Sequence, residues 1–176
     1  MVKLHARTED STTIPLAEKM FEKYKTPEDF VRLSVHDIEK LIFPVGFYRT
    51  KARHIKNLCE ILLARYEGQV PHEIEKLLAL PGVGRKTANC VLAYAFHVPC
   101  IPVDIHVHRI SNRIGLVKTA TPEETEQQLM NVNPRNNWLD INELFVVHGQ
   151  TICLPRRPKC GQCPLLVWCD YGQSKA

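Results

Sequence analysis

The sequence has no apolar run approaching the roughly 20 residues needed to cross a bilayer. Its opening residues, MVKLHARTED, contain no apolar stretch of the kind found in a secretory leader. A membrane protein and an exported protein are therefore not expected, and the chain reads as soluble and intracellular. No stretch of more than a few residues alternates apolar with polar side chains, so β-structure should be minor. Internal repeats and low-complexity segments are also lacking. The seven cysteines, Cys59, Cys90, Cys100, Cys153, Cys160, Cys163 and Cys169, are odd in number. Without a leader, that count does not suit a disulfide framework.

What is present reads as helices joined by short turns, an all-α chain. Its 176 residues, 44% of them hydrophobic, suffice for one domain or for two small ones sharing a cleft. Apolar spacing predicts a helix over 14–24. Thr26-Pro27-Glu28-Asp29 is a capped helix start, with Thr as N-cap and Pro at the first helical position. Ser34 is placed to cap a helix over 35–42, after which FPVGF breaks the chain. A long helix is expected over 49–67, with Ile55, Leu58, Ile61, Leu62 and Tyr66 on its buried side and Gly68 as its stop. Further helices are expected from Pro71 to Leu80, over 85–96, over 105–115 and over 137–150. Thr121-Pro122-Glu123-Glu124 forms a second capped start, with Glu124 in capping-box position.

The net charge of +4 says less than its placement. Residues 49–56 hold Arg49, Lys51, Arg53 and Lys56 with no acid among them, and residues 155–159 hold Arg156, Arg157 and Lys159. Basic segments suit a phosphate-rich partner, and the ordinary alternative is a solvated charged face.

Four cysteines follow the spacing C-x6-C-x2-C-x5-C from Cys153 through Cys160 and Cys163 to Cys169. Four thiolates in one short loop can converge on zinc or on a [4Fe–4S] cluster. Most zinc ribbons use two C-x2-C pairs. Here there is one, with outer ligands at longer spacings, which a loop wrapped around a larger cubane fits better. Cys59, Cys90 and Cys100 sit in apolar contexts and read as small core residues.

Between two predicted helices lies Leu80-Pro81-Gly82-Val83-Gly84-Arg85-Lys86-Thr87-Ala88. Gly82 and Gly84 permit a sharp turn and clear its rim of side chains. Amide groups of Gly82, Val83, Gly84 and Arg85 at the start of the next helix would then face a DNA phosphate, with no base contact required. G-V-G-R-K-T-A between two amphipathic helices points to a helix–hairpin–helix DNA module. Lys86 falls in the first turn of the second helix. The helix dipole disfavours a cation there, which would favour the free amine as a nucleophile. A lysine contacting phosphate is the alternative, and spacing alone does not separate the two. Asp104, in Pro102-Val103-Asp104-Ile105-His106, is placed to cap a helix. One carboxylate oxygen could serve the cap while the other faces a site. Arg109 and Arg113 share a face of that helix and are expected to be structural, pairing with acids.

LPGVGRKTAN, then VDIHVHRISNR, then the four-cysteine tail occur in the order and spacing of endonuclease III and its relatives, and the chain resembles that family from about residue 4 onward. The resemblance implies the helix–hairpin–helix glycosylase fold. A helical domain over 1–98 would carry the hairpin, a second over 99–176 would end in the [4Fe–4S] loop, and a DNA groove would lie between them. It implies that Lys86 is the Schiff-base lysine, Asp104 the catalytic aspartate, and Cys153, Cys160, Cys163 and Cys169 the cluster ligands. Relatives without lyase activity replace that lysine, so its presence implies a bifunctional glycosylase and lyase. Its partner would be double-stranded DNA with oxidised pyrimidines or abasic sites, and the enzyme a monomer, in the nucleoid of a prokaryote or the nucleus of a eukaryote. Gly82, Val83, Gly84, Arg85, Arg156, Arg157 and Lys159 would contact phosphates.

One departure stands out. Family members begin with two further helices before the segment matched by LHARTEDSTT, and this sequence opens almost directly into it. The chain as given is therefore expected to be less stable and less active than an extended form, with an impaired or non-catalytic iron–sulfur DNA-binding protein as the alternative function. Relatives also carry in that segment a Gln that helps fill the gap left by a flipped base. Here His5 and Arg7 are the polar side chains available in its place.

Overall fold

The structure, a computed structural model, describes residues 10–175. The expectation placed on His5 and Arg7 lies outside the described residues. Among the described residues the chain is helical with no strand, as its lack of alternation predicted. None of these helices is long and apolar enough to cross a membrane. The backbone divides into two compact units between Ala88 and Asn89.

The first unit contains α1 (Asp10–Lys23), α2 (Pro27–Arg32), α3 (Val35–Ile42), α4 (Tyr48–Tyr66), α5 (Ile74–Leu78) and the first turn of α6 (Arg85–Phe96). Side-chain capping sets the starts of α2 and α3. Thr26 Oγ1 accepts from the Asp29 amide at 3.4 Å, and the Asp29 carboxylate accepts from the Thr26 amide at 3.0 Å. The amides of Thr26 and Lys25 hold the Asp29 carboxyl below its ordinary range. Ser34 and Asp37 repeat the arrangement at α3, where the Ser34 hydroxyl donates to Asp37 at 2.6 Å.

The core of this unit is Ala17, Met20, Phe30, Ile38, Ile42, Val45, Ala52 and Cys59. Phe30 is ringed by Phe21 and Tyr24, with ring centroids 6.1 and 5.8 Å away. Burial of each large apolar side chain here stabilises by about 1.5–3 kcal/mol.

On α4 the deepest positions are Ala52, Cys59 and Leu62, while Ile55, Leu58, Ile61 and Tyr66 are only half-buried. Ile55 and Leu58 still pack against the core, so the expected side is the buried one, and the small Ala52 and Cys59 join Leu62 at its centre, where α4 lies against α2 and α3.

Two cations of the basic segment are structural rather than solvent-facing. Lys56 Nζ donates to the carbonyls of Val31 and Leu33 at 2.5 and 2.8 Å, closing the C-terminal end of α2. Lys51 is buried at 7% exposure, and that burial lowers the pKa of its amine. At the end of α4, Glu67 and Gly68 both take left-handed backbone, and the Gly68 amide bonds the Leu62 carbonyl at 3.0 Å. The helix expected from Pro71 is shorter and later, only Ile74–Leu78. Glu73 stays extended ahead of it, its carboxylate engaged by Lys76 at 2.7 Å instead of capping the helix.

The second unit continues α6 and adds α7 (Ile105–Ile114), α8 (Pro122–Val132), α9 (Trp138–Thr151) and the short α10 (Asp170–Gln173). Single 3-10 turns occupy Arg135–Asn137, Cys160–Gln162 and Leu166–Trp168. Thr121 and Glu124 form the expected capping box of α8. Ile101, Val103, Val107, Val117, Leu129 and Ile141 make the core, with Met130, Trp138 and Phe145 around it. Gly115 ends α7 at φ 86°, a conformation that favours glycine, and a β-carbon there would also displace the Asp170 carboxylate. Cys59, Cys90 and Cys100 are buried, as expected of small core residues. Burial raises the Cys59 thiol to about 11.

Candidate active site and thiol pocket

The turn between α5 and α6 is tight because Gly82 adopts φ 67°, and the Val83 amide closes it on the Leu80 carbonyl at 3.1 Å. At Gly84 nothing lies within 4 Å of where a β-carbon would sit, so the rim ahead of α6 is open. Gly82, Gly84 and Arg85 are exposed, and Val83 is half-buried. The first turn of a helix presents amides without intrahelical acceptors, and a smooth glycine rim lets an anion approach them. Lys86 follows as the second residue of α6 and is half-buried.

Asp104 is the N-cap of α7. Its Oδ1 accepts from the amides of His106 and Val107 at 2.8 and 2.9 Å, so one oxygen carries both cap bonds and Oδ2 carries neither. That division is the one the cap argument anticipated. The carboxylate is half-buried, and the chain leading to it is held from the side. Asn142 Nδ2 donates to the Pro102 carbonyl at 2.8 Å, Asn89 Nδ2 to the Ile101 carbonyl at 3.5 Å, and Tyr94 Oη to Asn142 Oδ1 at 2.9 Å. Sequence reading passed over these three residues. A usable signal was present: Asn142 interrupts an otherwise apolar face of WLDINELF, and a buried amide needs partners. Desolvation of its hydroxyl raises the Tyr94 phenol to about 12.

Cys153, Cys160, Cys163 and Cys169 line a single cavity whose remaining walls include Ile114, His148, Ile152, Pro158 and Leu166. Four soft sulfur donors around a mainly apolar cavity fit an iron–sulfide cluster, which takes thiolate ligands and gains stability from exclusion of water. Groups surrounding the thiols are placed to donate to them. The Gly172 amide lies 3.3 Å from Cys169 Sγ, Arg113 Nη1 lies 3.4 Å from Cys153 Sγ, and His148 Nε2 lies 3.7 Å from Cys163 Sγ.

Arg156, Arg157 and Lys159 are all exposed on the loop between the first two cysteines. Among the described residues, Arg109 and Arg113 pair with no acid, contrary to expectation. They reach backbone carbonyls of this loop and of the end of α9, Arg109 those of Gly149 and Cys153 and Arg113 those of Leu154 and Pro155. The loop offers a row of carbonyls with no helix or sheet to absorb them, which a forked guanidinium satisfies. In the first unit, Phe47 is 62% exposed in left-handed backbone (φ 57°) at the start of α4, a position sequence reading treated only as a chain break.

Comparison with known proteins agrees with this geometry. Residues 1–135 match the HhH-GPD superfamily base excision DNA repair protein model, and residues 153–169 match the iron–sulfur binding domain of endonuclease III. Endonuclease III of Thermotoga maritima is 46% identical over 96% of this chain and 79% of its own length. The Bacillus subtilis enzyme is 37% identical over 99% of this chain and 80% of its own. Among solved structures, a trapped endonuclease III–DNA covalent intermediate superposes with a TM-score of 0.94 at 39% identity, covering 99% of this chain and 82% of that one. A thermostable thymine-DNA glycosylase superposes at 0.86 with 28% identity, covering 98% and 81%. The chain belongs to the endonuclease III family of base-excision DNA-repair enzymes, DNA glycosylases with abasic-site lyase activity that carry a [4Fe–4S] cluster.

Proposed function

We propose that Lys86 is the nucleophile of a combined glycosylase and lyase reaction on oxidised pyrimidines and abasic sites in duplex DNA, and that Asp104 supports its attack. The observation that carries this reading is Asp104 itself: a carboxylate locked by two amides through one oxygen while the other takes no part in the cap. The trapped covalent complex of the similar endonuclease III with DNA supports a covalent enzyme–DNA intermediate.

A damaged base inside a duplex is out of reach, so it is first extruded from the stack. Phe47, apolar and exposed, is the side chain we assign to the vacated step, in the manner of other apolar wedges. The free amine of Lys86 then attacks C1′. The new N–C1′ bond forms as the glycosidic bond breaks, and the base leaves with its bonding pair and takes up a proton. Asp104 stabilises the positive charge that develops on the sugar. Ring opening gives a protonated Schiff base, which acidifies the C2′ hydrogen. Loss of that proton expels the 3′ phosphate by β-elimination, and water releases Lys86.

Phosphates are held by the hairpin amides of Gly82, Val83, Gly84 and Arg85 and by Arg156, Arg157 and Lys159. Cys153, Cys160, Cys163 and Cys169 would hold the cluster, which would tie residues 153–169 into one loop. The enzyme acts as a monomer in the compartment that holds the DNA.

The test is to offer duplexes carrying an oxidised pyrimidine, a G·T mismatch or an abasic site. Strand cutting at the oxidised pyrimidine and the abasic site, with the mismatch left intact, is expected. Preferential release of thymine from the mismatch would overturn the lesion assignment.

A further inference from the structure

Arg113 stands in the last turn of α7, and each of its polar contacts is turned toward the cysteine loop. Nη1 lies 2.8 Å from the Leu154 carbonyl and 3.4 Å from Cys153 Sγ, and Nη2 lies 2.9 Å from the Pro155 carbonyl. The guanidinium plane rests on the Tyr171 ring, 4.5 Å from its centroid. The grip therefore ends at the residue immediately before Arg156.

On the far side of the two exposed arginines, the Lys159 amide bonds the Ile152 carbonyl at 2.9 Å, and the Leu154 amide bonds the same carbonyl at 2.9 Å. Between these anchors Arg157 holds left-handed backbone at φ 54°, a conformation a non-glycine residue keeps only when its flanks are fixed.

We propose that Arg113 is a positioning residue for DNA binding: its fork sets the path of residues 154 and 155 so that Arg156 and Arg157 face the backbone phosphates, with Cys153 tied to the same fork. This rests on the reading that Arg156, Arg157 and Lys159 contact phosphate. Arg113 itself makes no phosphate contact in this account, because its two terminal nitrogens are spent on the loop.

The test uses holoprotein with iron and sulfide contents matched to wild type. R113K keeps the charge but puts it on a single nitrogen, which cannot span the Leu154 and Pro155 carbonyls as two arms of a fork or stack as a plane on Tyr171. Two quantities are read: amide hydrogen exchange at residues 154–159, and the slope of log K against log[salt] for an undamaged duplex.

R113K is expected to speed exchange at Leu154 and Lys159 by about tenfold or more. It should also flatten the slope by about 2, as far as R156Q/R157Q does. Wild-type exchange and slope in R113K would overturn the proposal. If R156Q/R157Q leaves the slope unchanged, the phosphate reading fails instead, and exchange in R113K alone decides whether the fork positions the loop. Should R113K not retain its cluster, Tyr171→Leu decides. It removes the plane under the guanidinium and leaves the bonds to Cys153, Leu154 and Pro155 possible. Faster exchange and a flatter slope would support the proposal, and no change in either would overturn it.

Discussion

The amide of Asn142 donates to the carbonyl of Pro102 at 2.8 Å, two residues ahead of Asp104, while Tyr94 Oη donates to Asn142 Oδ1 at 2.9 Å. Asn142 is 7% exposed, so its bond to Pro102 forms where water does not compete. They fix the segment that delivers Asp104 to the start of α7. Asn142→Leu leaves the Pro102 carbonyl without its donor and is expected to cost about 1–3 kcal/mol of stability. If Asp104 acts as proposed, it tolerates little misplacement, and covalent trapping on abasic DNA should slow by about 10- to 100-fold. Single-turnover trapping at saturating enzyme, beside a thermal melt, checks this. A melt lowered with no change in trapping rate would separate Asn142 from the site.

The cap formed by Asp104 and the charge proposed to support the reaction are divided by a single substitution. Asparagine caps helices about as well as aspartate, so Asp104→Asn should change stability by no more than about 0.5 kcal/mol. The negative charge is lost, however, and trapping should slow by orders of magnitude. A melt that falls sharply together with the rate would mean that the cap, and not the charge, is what the reaction requires.

The exposed trio Arg156, Arg157 and Lys159 should hold DNA without reading sequence. Replacing all three by glutamine is expected to flatten the slope of log K against log[salt] by up to about 2–3. The reduction should be equal on duplexes of unrelated sequence. An unchanged slope would remove this loop from the interface.

The thiol pocket should make the purified protein brown, with about four irons and four sulfides per chain. Cys163→Ser removes one ligand, and with it one of the ties on residues 153–169. Loss of the metal's share of folding energy should lower the melting temperature of the second unit and reduce the iron content. Stoichiometric zinc without sulfide in the wild-type protein would contradict the ligand assignment.

Much of this fold is legible in the sequence where one local interaction decides the outcome. Thr26, Ser34 and Thr121 begin helices because each has a side-chain oxygen three residues ahead of an acid able to answer it. The bounds of α6 follow from Gly84 on one side and the loop before Pro99 on the other. Asp104 caps α7 for the same local reason. What sequence reading missed depends on partners distant in the chain. Lys56 is a surface cation by composition, yet it closes α2 from 23 residues away, through the Leu33 carbonyl. Arg113 offers no sign in its own neighbourhood that its acceptors lie 41 and 42 residues on. The buried side of α4 is legible from its apolar spacing, while the depth of Ala52 and Cys59 on that side depends on how closely α2 and α3 approach.

The central claim is that Lys86 forms the covalent bond to DNA. Incubation with abasic-site duplex and borohydride, followed by peptide mapping of the adduct, tests it most directly. The account predicts a reduced adduct on Lys86 in the wild-type protein and none from Lys86→Gln, with duplex affinity largely retained. A full-strength adduct from Lys86→Gln, or one mapped to another amine in the wild type, would contradict it.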